Sequence, residues 1–110
     1  MLEFDELRLR LEGLKPDIDD LAGALGLTQS RKELAELEEK AAAPNFWDDM
    51  ENAQAILQRS ANLKGRVDGY AALVDAYNDT LTLIELANEE GDLSLLEECT
   101  AGVDKVQASM

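Results

Sequence analysis

From Ile56 onward the chain keeps an unbroken four-three step through Ile56, Ser60, Leu63, Val67, Tyr70, Val74, Tyr77, Leu81, Ile84 and Asn88. Residues three and four apart share a face of an α-helix, so this spacing draws one stripe down a single long helix. The stretch predicts a helix over about residues 50–88, which at 1.5 Å per residue would extend roughly 58 Å, several times the usual helix. A seam of that length needs helical partners to cover it, which points away from any sheet-based fold. Val74, at its middle, is expected to be buried, with Asp75 beside it in solvent.

The flanking segments supply those partners. Phe4, Leu7, Leu11, Leu14, Ile18, Leu21 and Leu25 also step by three and four, predicting a first helix over about residues 3–24. Pro16 interrupts it, at a cost of about 3 kcal/mol in a helix interior. Either the helix kinks there or two shorter helices keep one phase, and the unbroken register across Pro16 favours the kink. Gly26 is placed to end the helix in a left-handed cap. Ser30 and Glu33 have the spacing of a capping box, opening a second helix with Leu34, Leu37 and Ala41 on its apolar face, and Pro44 stops that helix at Ala43.

The connector Pro44-Asn45-Phe46-Trp47-Asp48-Asp49 holds three features. Asp48 or Asp49 suits the N-cap of the long helix. Phe46 and Trp47 read as an apolar plug closing a helical hairpin, the alternative being an aromatic anchor for a partner. Gly65 and Gly69 each cost about 1 kcal/mol relative to alanine inside the long helix, which is expected where another backbone approaches closely. Gly91 ends that helix, and Asp92 or Ser94 caps a last one with Leu96, Cys99, Val103 and Val106 on one face. The fold expected is all-α, an antiparallel helical bundle or coiled-coil-like hairpin of about four helices, in one domain spanning residues 1–110.

Composition agrees and narrows the function. Aromatics are 5% and charged residues 31% of 110 residues, a balance that suits bundles and coiled coils. With 24 acidic against 10 basic residues the net charge is -14, which repels a phosphate backbone unless a basic patch overrides it. The lysines and arginines are scattered, so direct nucleic-acid binding is not expected and a basic or neutral protein is the fitting partner. With no histidine and a single cysteine, an internal disulfide, a zinc site and a histidine-dependent triad are all excluded. Cys99 lies in the apolar stripe and reads as a small core residue.

No run approaches 18 apolar residues and no apolar stretch resembles a secretion signal, so a soluble, cytoplasmic protein away from membranes is expected. A calcium loop with Gly91 at its sixth position would put Leu86 where the first oxygen ligand belongs. The adjacent pairs Asp19-Asp20, Asp48-Asp49 and Glu97-Glu98 diverge around a helix and suit caps or solvated faces better than acid-base chemistry. No catalytic, cofactor-binding or metal-binding residue is expected.

Residues 34–54, running Leu-Ala-Glu-Leu-Glu-Glu-Lys-Ala-Ala-Ala-Pro-Asn-Phe-Trp-Asp-Asp-Met-Glu-Asn-Ala-Gln, closely resemble the N-terminal domain of bacterial class I peptide-chain release factors. Pro44, Phe46 to Asp49, and Ala53-Gln54 together resemble the type 2 branch, which reads UGA and UAA. A second resemblance lies at Leu83 to Glu90, followed by Asp92 and Leu95 to Glu98. Met50 and Ala43 depart from the family, where a proline and a polar residue are common, and bear only on local turns. The family's decoding tripeptide and Gly-Gly-Gln motif lie downstream in much longer proteins, and neither occurs in these residues. The resemblance therefore implies an N-terminal helical domain in translation termination, with no decoding or hydrolytic residue of its own. It also implies a non-catalytic arm toward the stalk base of the large ribosomal subunit and toward a GTPase release factor. The residues alone leave open a generic acidic coiled-coil adaptor or dimerisation module.

Overall fold

The computed structural model describes every residue from Met1 to Met110. Five α-helices follow in order: α1 (Leu2–Glu12), α2 (Lys15–Ala24), α3 (Leu27–Ala41), α4 (Met50–Glu90) and α5 (Leu96–Ala108). Short 3₁₀ turns at Phe46–Asp48 and Leu93–Leu95 lead into the last two, and there is no strand. The all-α expectation holds, with the first expected helix divided in two.

The division falls two residues before Pro16. The amide of Leu14 donates to the carbonyl of Leu11 (2.9 Å), tightening the end of α1, while the carbonyl of Leu14 accepts the first bond of α2 from Ile18 (3.0 Å). Pro16 thus stands in the first turn of α2, where a missing N–H leaves nothing unsatisfied. Dividing the helix avoids the interior penalty that a kink would retain, and the phase survives: Phe4, Leu11 and Ile18 are all buried.

The chain forms two compact units. The first comprises Met1–Leu21 and Ala71–Met110. Its core gathers Phe4, Leu11 and Ile18 with Leu73, Tyr77 and Ile84 of α4 and Cys99, Val103 and Val106 of α5. Each fully buried aliphatic or aromatic side chain here contributes about 1.5–3 kcal/mol as an upper bound. α4 and α5 approach closely at Gly102, where an added Cβ would lie 2.9 Å from both γ atoms of Thr80. A Schellman turn joins the two helices. Gly91 takes the left-handed conformation (φ 64°), its amide donates to Asn88 (3.2 Å), and that of Asp92 donates to Ala87 (3.0 Å). The carboxylate of Asp92 then accepts from the amide of Ser94 (3.0 Å). Asn88, expected at the end of the seam, takes the amino group of Met1 on its side-chain oxygen and donates from Nδ2 to Asp5 (3.2 Å).

The second unit is Ala22–Tyr70, with Leu27, Phe46, Ala53 and Leu63 buried. Gly26, left-handed at φ 61° and ψ 43°, is the N-cap of α3, which starts at Leu27. The expected capping box at Ser30 and Glu33 is therefore absent. Ser30 lies one turn inside the helix and buried, its amide already bonded to the carbonyl of Gly26 (2.8 Å), so it has no free helix end to cap. Gly65 and Gly69 also depart from expectation, since a Cβ at either would meet nothing within 4 Å.

Along α4 the buried line runs slightly off the expected seam. Leu73 is only 4% exposed and Thr80 and Ala87 are buried as well, while Val74 is half-buried and Asp75 exposed. Residues from Ala71 onward belong to the first unit and those before it to the second, so each stretch of α4 is covered by its own unit's helices, and it is those neighbours that set which line of the helix is buried.

Candidate interaction surfaces

In the second unit, Asp49 sits just before α4 and accepts from the amide of Asn52 (3.1 Å), capping the helix as expected. The preceding 3₁₀ turn points its two aromatics in different directions. Phe46 is 7% exposed and forms the plug, whereas Trp47 is 56% exposed and Met50 57%. The two rings meet edge to face, with centroids 5.1 Å apart and planes at 77°. The expectation of a double plug thus holds for Phe46 alone, because consecutive residues of a tight turn cannot share one inward direction. Trp47 is left as an apolar projection held from behind by Phe46 and flanked by Asp48, Asp49 and Glu51.

On the same unit, Glu33 has its partner across the helix pair rather than at the helix start. Arg59 of α4 donates to it twice, from Nε at 2.8 Å and from Nη2 at 3.3 Å. That pair of hydrogen bonds holds the Glu33 carboxyl below the usual carboxylate range, with the charge of Arg66 one heptad further along α4 adding to the effect. Arg59 is raised correspondingly.

In the first unit, α1 and α5 pack side by side and leave an open groove along their junction. One hollow, of about 670 Å³, lies against α5 and the 3₁₀ turn before it, lined by Leu93, Leu96, Glu97, Ala101 and Asp104 among others. A second, of about 340 Å³, is lined by Glu3, Glu6, Leu7 and Arg10, and meets the first at Leu96 and Thr100. The one basic group along it is occupied: Arg10 donates to Asp104 and to Gln107, both at 2.7 Å.

The adjacent acidic pairs have local roles. Asp19 accepts from Lys15 through both oxygens (2.9 and 3.1 Å), and Glu97 and Glu98 lie in the first turn of α5, where the helix dipole favours negative charge. Burial pushes the Cys99 thiol up, with the charge of Glu98 adding to it. Burial likewise raises the Tyr77 phenol, and Glu12 adds to that effect. No three His, Cys, Asp or Glu side chains come together in a geometry that could hold a metal ion, and no helix is long and apolar enough to cross a membrane.

Residues 30–110 match the model of the PCRF domain. The chain belongs to the PCRF-domain family. The matched span takes in nearly all of α3, the aromatic connector, α4 and α5, so both the Trp47 projection and the α5 side of the groove lie on the PCRF domain. Proteins named peptide chain release factor 2 are similar over most of the chain. The one from an Exiguobacterium species is 34% identical over 97 residues, covering 88% of this chain and 26% of the relative. That from Lactiplantibacillus plantarum is 32% identical over 97 residues, with the same coverage of 88% and 26%. One from Staphylococcus aureus is 29% identical over 109 residues, 99% of this chain and 30% of the relative. The chain thus spans between a quarter and a third of the length of these relatives. The resemblance read from Leu34 to Gln54 and from Leu83 to Glu98 falls within the PCRF match.

Proposed function

We propose that residues 1–110 form a single functional domain, the N-terminal helical domain of a peptide chain release factor of the type 2 branch, serving translation termination at UGA and UAA codons. The observation that carries this reading is the PCRF match over residues 30–110, together with the peptide chain release factor 2 relatives aligned over 88–99% of the chain. In this reading the domain is a soluble, cytoplasmic, non-catalytic arm, and peptidyl-tRNA hydrolysis belongs to a longer protein. The arm docks on the ribosome at the stalk base of the large subunit and serves contact with a GTPase release factor.

The physical support is charge and anchoring. A surface at net charge -14 steers toward basic ribosomal protein and away from exposed rRNA phosphates. Trp47, projecting from the connector, is the residue type that most often dominates a protein interface. The test is sedimentation of the chain with ribosomes carrying UGA in the decoding site, at low and high salt, alongside a peptide-release assay. Co-sedimentation that weakens with salt, declines for Trp47→Ala and is lost from ribosomes stripped of stalk-base protein is expected, with no peptide released. Peptide release by the 110 residues, or ribosome binding indifferent to stalk-base removal, would refute the reading. An obligate dimer that ignores ribosomes would instead identify an adaptor module.

A further inference from the structure

We propose that the groove between α1 and α5 is a docking site for a cationic amphipathic helix of a protein partner. The groove has an apolar floor and an acidic rim. Leu7 and Leu96 lie half-buried along it, and Leu93, at its mouth, is 49% exposed, so apolar area remains to be covered. Glu3 and Glu6 stand on the α1 side and Glu97 on the α5 side. Arg10 is engaged by Asp104 and Gln107 and offers little to an anion.

This arrangement selects the occupant by charge. A second copy of the chain brings its own -14 and is repelled. A nucleic acid finds carboxylates where it needs cations. A helix carrying leucines at a three-four spacing, with lysines and arginines beside them, covers the floor and meets carboxylates from both walls. The lining runs over residues 3–10 on one side and 93–104 on the other, which at 1.5 Å per residue is roughly 11–17 Å and room for about two to three turns of a docked helix. The site would take such a helix whether or not the chain serves termination, since it rests on the first unit alone.

The test is an amide-shift NMR titration of the 110-residue chain with a synthetic 14-residue peptide of leucines and lysines in helical amphipathic order. A peptide of the same composition with the leucines scattered around the helix serves as control. Shifts concentrated on residues 3–10 and 93–104, with binding by the amphipathic peptide only, are expected. The double variant Glu6→Lys, Glu97→Lys should weaken binding by about tenfold or more, whereas Asp75→Lys, Asp79→Lys, an equal charge change at exposed positions of α4, should weaken it far less. Melting curves of both variants confirm that each remains folded. Equal binding of the scattered peptide, equal losses in the two double variants, shifts centred elsewhere, or no binding at millimolar peptide would each overturn the proposal.

Discussion

Alanine at three helical glycines separates open helix surface from a helix-helix contact, and the structure gives each site its own sign. Gly65 and Gly69 lie inside α4 with nothing within 4 Å of an added Cβ, so only the intrinsic preference operates. Replacing glycine by alanine in a helix interior restricts the unfolded chain and is worth about 0.5–1 kcal/mol. Gly65→Ala and Gly69→Ala should each stabilise by that amount, and the pair by about 1–2 kcal/mol if additive. At Gly102 the same gain meets an opposing term. The new methyl would lie 2.9 Å from Cγ2 and Oγ1 of Thr80, a buried β-branched residue whose few rotamers leave little room to yield. Overpacking of this kind costs about 1–3 kcal/mol, so Gly102→Ala should range from neutral to destabilising by about 2 kcal/mol. Adding Thr80→Ala removes both γ atoms, and the double-mutant cycle should then show a favourable coupling of about 1 kcal/mol or more. Urea unfolding followed by circular dichroism at 222 nm resolves differences of this size. Destabilisation by Gly65→Ala or Gly69→Ala in the isolated chain would refute the reasoning, because it would require a neighbour that the structure does not place there.

Three further outcomes follow from burial and charge. Leu73→Asp should cost about 3–5 kcal/mol by placing a charge in the core, Val74→Asp about 1–2 kcal/mol, and Asp75→Ala less than about 0.5 kcal/mol, in thermal or urea unfolding. The Glu33 carboxyl is held low by Arg59, so its stabilising effect is present above the ordinary carboxylate pKa and lost as pH falls through the depressed folded value. Glu33→Gln should therefore flatten the acid side of the pH-stability curve slightly, with no effect on the curve near neutrality beyond a small constant offset. Cys99 is 0% exposed and its thiol is raised by burial. A thiol reagent at neutral pH should modify it only at the rate at which the first unit opens, and at the rate of a free thiol once urea is added.

The long helix and its stripe were legible because periodicity is a property of the chain alone: Leu63, Tyr77 and Ile84 are buried as the spacing demanded. What spacing cannot supply is the rotation of a helix against its neighbours, hence Leu73 inside where Val74 was expected. Local punctuation was ambiguous where two devices compete. Gly26 can end one helix and begin the next, and once it does so Ser30 has no end to cap and Glu33 is free to meet Arg59. Gly65 and Gly69 suggested contact by residue type alone, whereas the close approach lies at Gly102, which nothing in the local pattern distinguishes. The surfaces were least legible of all. Exposed positions such as Trp47 and Glu97 obey no period, and their grouping exists only after the helices are placed.

The discontinuous first unit has a consequence during synthesis. Its opening helix leaves the exit tunnel well ahead of Leu96–Ala108, the helix it packs against, and contacts between parts of the chain so far apart form late. A nascent chain of this protein therefore carries α1 without its α5 neighbour until residues 96–108 have been made, and only then can the core around Cys99, Val103 and Val106 close.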